Sequence, residues 1–131
     1  MKSQFIALFG EAEKGSYSHL KRINSLQQLC EEFGHPPKDS LGISFAVQAL
    51  LFQKELIYIR VQEEGFSHED YIRGIHLLEK ACSQIHLSAI CMPGVGDTHI
   101  IEPTFKLCEQ SGSLLLTTTS DLYDYLTDCI I

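Results

Sequence analysis

The sequence predicts a three-layer α/β domain, with a mostly parallel central sheet of four to five strands flanked by helices. Three observations predict it. Short runs of branched and aromatic residues recur at 5–9, 56–61, 87–92 and 114–118, a composition suited to strands buried on both faces. Between them lie longer segments whose apolar residues return at helical spacing. Glycines, prolines and capping residues mark the joints. Parallel neighbours need helical crossovers, and helices on both faces of one sheet give three layers. The 131 residues fit a single domain, 1–131. A chain of this length buries roughly two-thirds of its unfolded surface, enough for a core without disulfides or metals.

The elements follow in order. The run 5–9, stopped by Gly10, reads as a buried strand, 11–18 as a polar loop and 19–23 as a short strand. Ser25-Leu26-Gln27-Gln28 matches a capping box, in which the serine oxygen accepts from a free backbone N–H and Gln28 reaches back. A helix follows with Leu26, Leu29, Cys30 and Phe33 inward; Gly34 stops it and Pro36-Pro37 prevents continuation. Asp39 or Ser40 caps a second helix through about Gln53, with Ile43, Ala46, Val47, Leu50 and Leu51 as its core stripe. After the strand 56–61, Ser67-His68-Glu69-Asp70 caps a third helix, its acids placed where the helix dipole favours them. Tyr71, Ile75, Leu78 and Cys82 line its inner face. The strand 87–92 closes in Pro93-Gly94-Val95-Gly96. A helix over 103–110 has Pro103 in its first turn. After the strand 114–118, Ser120 caps a last helix ending near Asp128.

Composition excludes several classes. Apolar residues at 44% and charged residues at 21% mark a globular rather than a disordered chain. A net charge of −7, with Lys21 and Arg22 the only adjacent basic pair, opposes a nucleic-acid module, because phosphates require clustered cations. Apolar runs such as 45–52 are too short to span a bilayer. No basic segment followed by an apolar one opens the chain, so a cytoplasmic location is expected. Five cysteines, Cys30, Cys82, Cys91, Cys108 and Cys129, include no CxxC pair. They read as buried reduced thiols packing like small hydrophobes.

The best small-molecule signal is Gly94, Gly96 and Asp97, directly after a strand, where α/β folds bind ligands and backbone N–H groups can approach a phosphate. This supports an alternative reading as a small nucleotide- or phosphate-binding, Rossmann-like domain. Against it, His99 stands where the dinucleotide fingerprint has its third glycine, the Walker A lysine is missing, and Asp97 would repel an anion. Cys91, His99 and Cys108 do not match a compact zinc spacing. Glu63-Glu64 reads as a solvated strand exit and Glu69-Asp70 as a first-turn dipole complement rather than as catalytic pairs. Cys82 and His86 are four apart with a helix end expected between them, and 117–120 reads as strand end plus cap. The apolar tail Cys129, Ile130 and Ile131 either docks on its own domain or adds to a partner's sheet edge. No cofactor, metal or catalytic residue is expected, and the expected partner is a protein or a second copy.

One sequence resemblance gives these elements a use. An apolar strand ends in Phe9-Gly10, followed by Glu11-Ala12-Glu13-Lys14-Gly15 and a short strand into Asn24-Ser25. A helix closes in Glu31-Glu32-Phe33-Gly34-His35-Pro36, and an Ala46-Val47-Gln48 helix precedes a strand ending Ile59-Arg60-Val61. The segment 5–61 resembles the core of contractile tail sheath proteins of phages and related injection systems. Ala89-Ile90-Cys91-Met92-Pro93-Gly94 with Asp97, and then 114–118, resemble that family's later strands. The resemblance implies a non-enzymatic structural subunit that assembles through protein contacts. The family's extended arms and large C-terminal portion are not matched, and Cys129–Ile131 alone remains as a possible arm.

Overall fold

The computed structural model describes residues 4–130. Gln4–Gly10 forms β1, and Lys21–Ile23 forms the short β2. Leu26–Phe33 and Gly42–Leu51 are α1 and α2, Leu56–Arg60 is β3 and His68–Ala81 is α3. His86–Cys91 is β4, Thr98–Ser111 is α4, Leu114–Leu116 is β5 and Thr119–Ile130 is α5. The five strands lie in the order β2-β3-β1-β4-β5. Every neighbouring pair is parallel except β2 with β3. The α/β class and its mostly parallel sheet are therefore as the sequence predicts.

Alternation along β1 builds both layers. Phe5, Ala7 and Phe9 face α3 and α4, joining Tyr71, Ile75, Leu78, Ile100 and Leu107 in one core. Leu8 faces the other way, with Leu29 and Phe33 of α1 and Ile43, Ala46 and Leu50 of α2. Each fully buried Leu, Ile or Phe in these cores contributes about 1.5–3 kcal/mol. Beyond α2 its face of the sheet runs out into β4 and β5, where Leu114 and Leu116 are 68% and 46% exposed. No helix among the described residues is long and apolar enough to cross a membrane.

Several local expectations are corrected. Ser25 does cap α1, accepting from Gln28 N–H at 3.1 Å, but Gln28 reaches back to Asn24 N–H rather than to the cap itself. Helix α1 has eight residues and buries only Leu29 and Phe33, leaving Leu26 and Cys30 exposed. One i,i+4 pair is all so short a helix lays on the sheet. Neither Asp39 nor Ser40 caps α2; Leu41 holds that position without a side-chain bond. Leu51 is exposed at the end of α2.

Ser67 stands at the start of α3, but its hydroxyl turns back to Glu63. Helix α4 begins at Thr98, not Pro103, because Asp97 caps it by accepting from His99 N–H at 2.8 Å. Pro103 thus lies in the second turn and cannot donate to the His99 carbonyl. Thr118, not Ser120, caps α5, accepting from Asp121 N–H at 3.1 Å, and the helix runs past Asp128 to Ile130. None of the five cysteines forms a disulfide. Only Cys108 is buried, so thiol burial holds in part: Cys30 and Cys129 are exposed, Cys82 and Cys91 intermediate.

Candidate functional site

In an open α/β sheet, ligands bind beyond the carboxyl ends of adjacent strands whose onward connections leave to opposite faces. Here those strands are β1, which leads to α1 and α2, and β4, which leads to α4. The crevice between their ends is filled by the chain itself. Segment 61–67, leaving β3, reaches across the end of β1 to the turn after β4. A methyl group on Gly65 would lie 2.1 Å from the Gly94 carbonyl oxygen, so the two backbones are in direct contact. Gly65 N–H donates to the buried Tyr71 hydroxyl at 2.8 Å, which anchors this roof to α3.

Glu64 closes the other side. Its Oε1 accepts from Glu11 N–H and Gly42 N–H, each at 2.9 Å, and from the Ser40 hydroxyl at 2.5 Å. Its Oε2 accepts from Leu41 N–H at 2.9 Å. In return Glu64 N–H donates to the Glu11 carboxylate at 2.9 Å. The Glu64 side chain is thus the N-cap that α2 lacks locally, set at the positive end of the helix dipole. The two glycines beside it make room. A methyl on Gly10 would fall 2.6 Å from the Gly42 Cα and 2.5 Å from the Tyr58 hydroxyl. Tyr58 donates to the Glu11 carbonyl at 2.8 Å. Burial first, and the Glu64 charge second, push its phenol well above the ordinary value, so it remains a donor.

Glu63-Glu64 is therefore not the solvated strand exit expected. Glu63 is exposed, whereas Glu64 is the polar hub of the site. No local signal marks Glu64, because Asp39 and Ser40 both stand where a cap for α2 is expected.

The glycine turn is also self-occupied. Gly94 N–H donates to Asp121 Oδ2 at 2.7 Å, so an amide suited to a phosphate already holds a carboxylate. A methyl on Gly96 would meet the Asp121 carbonyl and the Asp124 side chain of α5. Asp97 caps its own helix, and the His99 backbone N–H holds its carboxyl below the usual range. The sheet separates Cys91, on the α2 face, from Cys108, in the α3–α4 core. His99 is exposed, edge-on to His68 at 6.2 Å between ring centroids. Among the described residues, no three His, Cys, Asp or Glu side chains are placed to hold a metal ion. Asp70 is buried, accepting from Gln62 N–H at 2.8 Å and pairing with Arg73. Cys129 is exposed near the end of α5. Ile131 lies outside the described residues, as does the side chain of Ile130.

Open apolar surface lies elsewhere. On the α2 face a groove of about 440 Å³ is lined by Ile6, Leu8, Phe45, Phe52, Cys91 and Leu116. Burial pushes the Cys91 thiol from 9.0 up to about 11. A raised folded value contributes stability that is intact below pH 9 and is lost as pH rises toward 11, while the unfolded thiol ionises. Tyr58 and Tyr71, also raised by burial, extend the loss beyond pH 10. The urea midpoint should therefore fall from pH 8.5 to pH 11, and a thiol reagent at pH 8 should label Cys30 and Cys129 well before Cys91.

No protein-family model, no curated protein and no solved structure matches the chain.

Proposed function

We propose that the chain is a non-enzymatic structural or assembly subunit, related in design to the core of a contractile tail sheath protein and acting through contacts with other subunits. One observation carries this reading. The crevice where an α/β fold holds its ligand is packed with the chain's own backbone and the Glu64 carboxylate, while exposed leucines gather at the β5 edge of the sheet. Backbone groups on the outer side of β5 offer the pairing that such edges provide to a neighbouring chain. The sequence resemblance adds support, because its motifs fall at structural joints. Phe33-Gly34 ends α1, Arg60-Val61 leaves β3, and Pro93-Gly94 with Asp97 links β4 to α4. Cysteines without disulfides suit a cytoplasmic setting.

Light scattering coupled to size exclusion, at several concentrations, tests the proposal. The expected result is a mass that rises above one chain with concentration and returns to one chain in Leu114→Lys, which charges the edge. A strict monomer at every concentration that recruits no partner would sink it. The alternative, phosphate or nucleotide capture on Gly94, Gly96 and Asp97, is opposed by the Asp121 contact to Gly94. Binding at about a hundredfold excess over Kd stabilises by about 2.7 kcal/mol. A thermal-shift screen with millimolar nucleotides should therefore stay flat, and a clear upward shift would favour the alternative.

A further inference from the structure

We propose that the groove between α4 and α5 is a docking surface for a cationic amphipathic helix of another protein. It concerns a different surface from the β5 edge and does not depend on sheath-like assembly. Helix α5 is amphipathic, yet none of residues 119–129 is fully buried. Leu122 and Leu126, one turn apart, remain 48% and 47% exposed, and Phe105 on α4 is 38% exposed. An apolar helix stripe ordinarily faces a core; here half of it faces solvent. Between the helices lies a groove of about 260 Å³, lined by Ile101, Phe105, Leu115, Leu122 and Tyr125. Phe105 and Tyr125 meet edge-to-face at 5.7 Å, which fixes its wall. A groove between two helices is the shape that receives a third, read through anchors at i, i+3, i+4 and i+7.

Charge selects the occupant. From residue 107 to 131 the chain carries Glu109, Asp121, Asp124 and Asp128 and not one Lys, Arg or His. On α4, Glu102 and Glu109 flank Phe105 at i−3 and i+4, with Lys106 the single cation nearby. Asp121 lines the groove itself, and Glu102 and Glu109 border it from α4, whereas Asp124 and Asp128 lie on the other side of α5 with Gly96 and His99. The bordering carboxylates complement Lys and Arg flanking the apolar face of a partner helix. A second copy would bring the same acids against these, in a chain of net charge −7. An anionic bilayer surface and a nucleic acid would be repelled for the same reason.

The test uses the ¹⁵N-labelled full chain and a designed Leu/Lys amphipathic peptide of about five turns. Saturable binding is expected, with amide shifts confined to α4, β5 and α5. Leu122→Ser with Leu126→Ser, both half-exposed and so compatible with folding, should weaken binding about tenfold or more. Glu102→Gln with Glu109→Gln should weaken it about threefold and flatten its salt dependence. A Lys/Ser peptide lacking apolar residues should not bind. Equal binding by that peptide, by a Leu/Glu peptide or by anionic phosphatidylserine vesicles would overturn the proposal. So would shifts centred on another face, an unaffected leucine double variant, or self-association abolished by that double variant. Loss of concentration-dependent mass in Leu114→Lys would leave peptide binding intact, which separates this inference from the assembly reading.

Discussion

Replacement of Glu64 by alanine should lower the stability of the domain by about 3 kcal/mol. The carboxylate accepts from three backbone N–H groups and one hydroxyl, drawn from β1's exit and from the start of α2. Removing a helix cap costs about 1 kcal/mol. Leaving part-buried donors without a partner costs about 1–3 kcal/mol more for each one that water cannot reach. The Glu11 and Gly42 amides are the two most enclosed, since Gly10, Gly42 and Tyr58 crowd around them. For a domain of this size the melting temperature should fall by about 10 °C. Glu64→Gln keeps one acceptor oxygen and should lose about half as much. Glu63→Ala, which removes an exposed neighbour, should stay within about 0.5 kcal/mol. Urea unfolding followed by circular dichroism would decide. Equal losses at positions 63 and 64 would mean that Glu64 is merely another surface acid.

The reach of sequence reading in this chain follows the distance over which each interaction acts. Strands β1, β3 and β4 are nearly continuous apolar runs, so composition alone locates them. The Ser25 cap is legible because its partner, Gln28 N–H, is three residues away. The α2 cap is not, because its carboxylate arrives from 22 residues downstream, and no local pattern encodes that. Pro103 drew the start of α4 five residues too late, since proline suits a first turn; the competing signal was Asp97, a good capping residue directly ahead of Thr98. The segment 114–118 reads as a strand like the others, yet two of the three leucines of β5 are exposed. Whether a strand is covered depends on where helices from elsewhere come to lie. The candidate site suffers most from this. Each of its closing contacts joins segments distant in sequence, so the sealed crevice becomes visible only when β1, β3 and β4 are set side by side.

Gly65 gives the sharpest test of that seal. Its φ is +87°, and an added methyl would meet the backbone of Gly94 at 2.1 Å for the carbonyl oxygen and 2.8 Å for the carbon. Gly112 provides the control, because its φ of +69° is likewise positive while nothing lies within 4 Å of the added methyl. Alanine at Gly112 should therefore cost only the left-handed backbone strain, about 1 kcal/mol. At Gly65 the same strain is joined by a collision with main chain that cannot swing aside. Gly94 is itself fixed through its N–H to Asp121, and overpacking of this kind adds about 1–3 kcal/mol. Gly65→Ala should thus cost about 3 kcal/mol, some 2 kcal/mol more than Gly112→Ala, with both read from urea midpoints at constant slope. Lifting the roof should also free the Tyr71 hydroxyl from Gly65 N–H and alter the near-ultraviolet tyrosine signal. If the two alanine variants cost the same, segment 61–67 yields freely, the crevice is open in solution, and the case for a self-closed, non-catalytic strand end loses its footing.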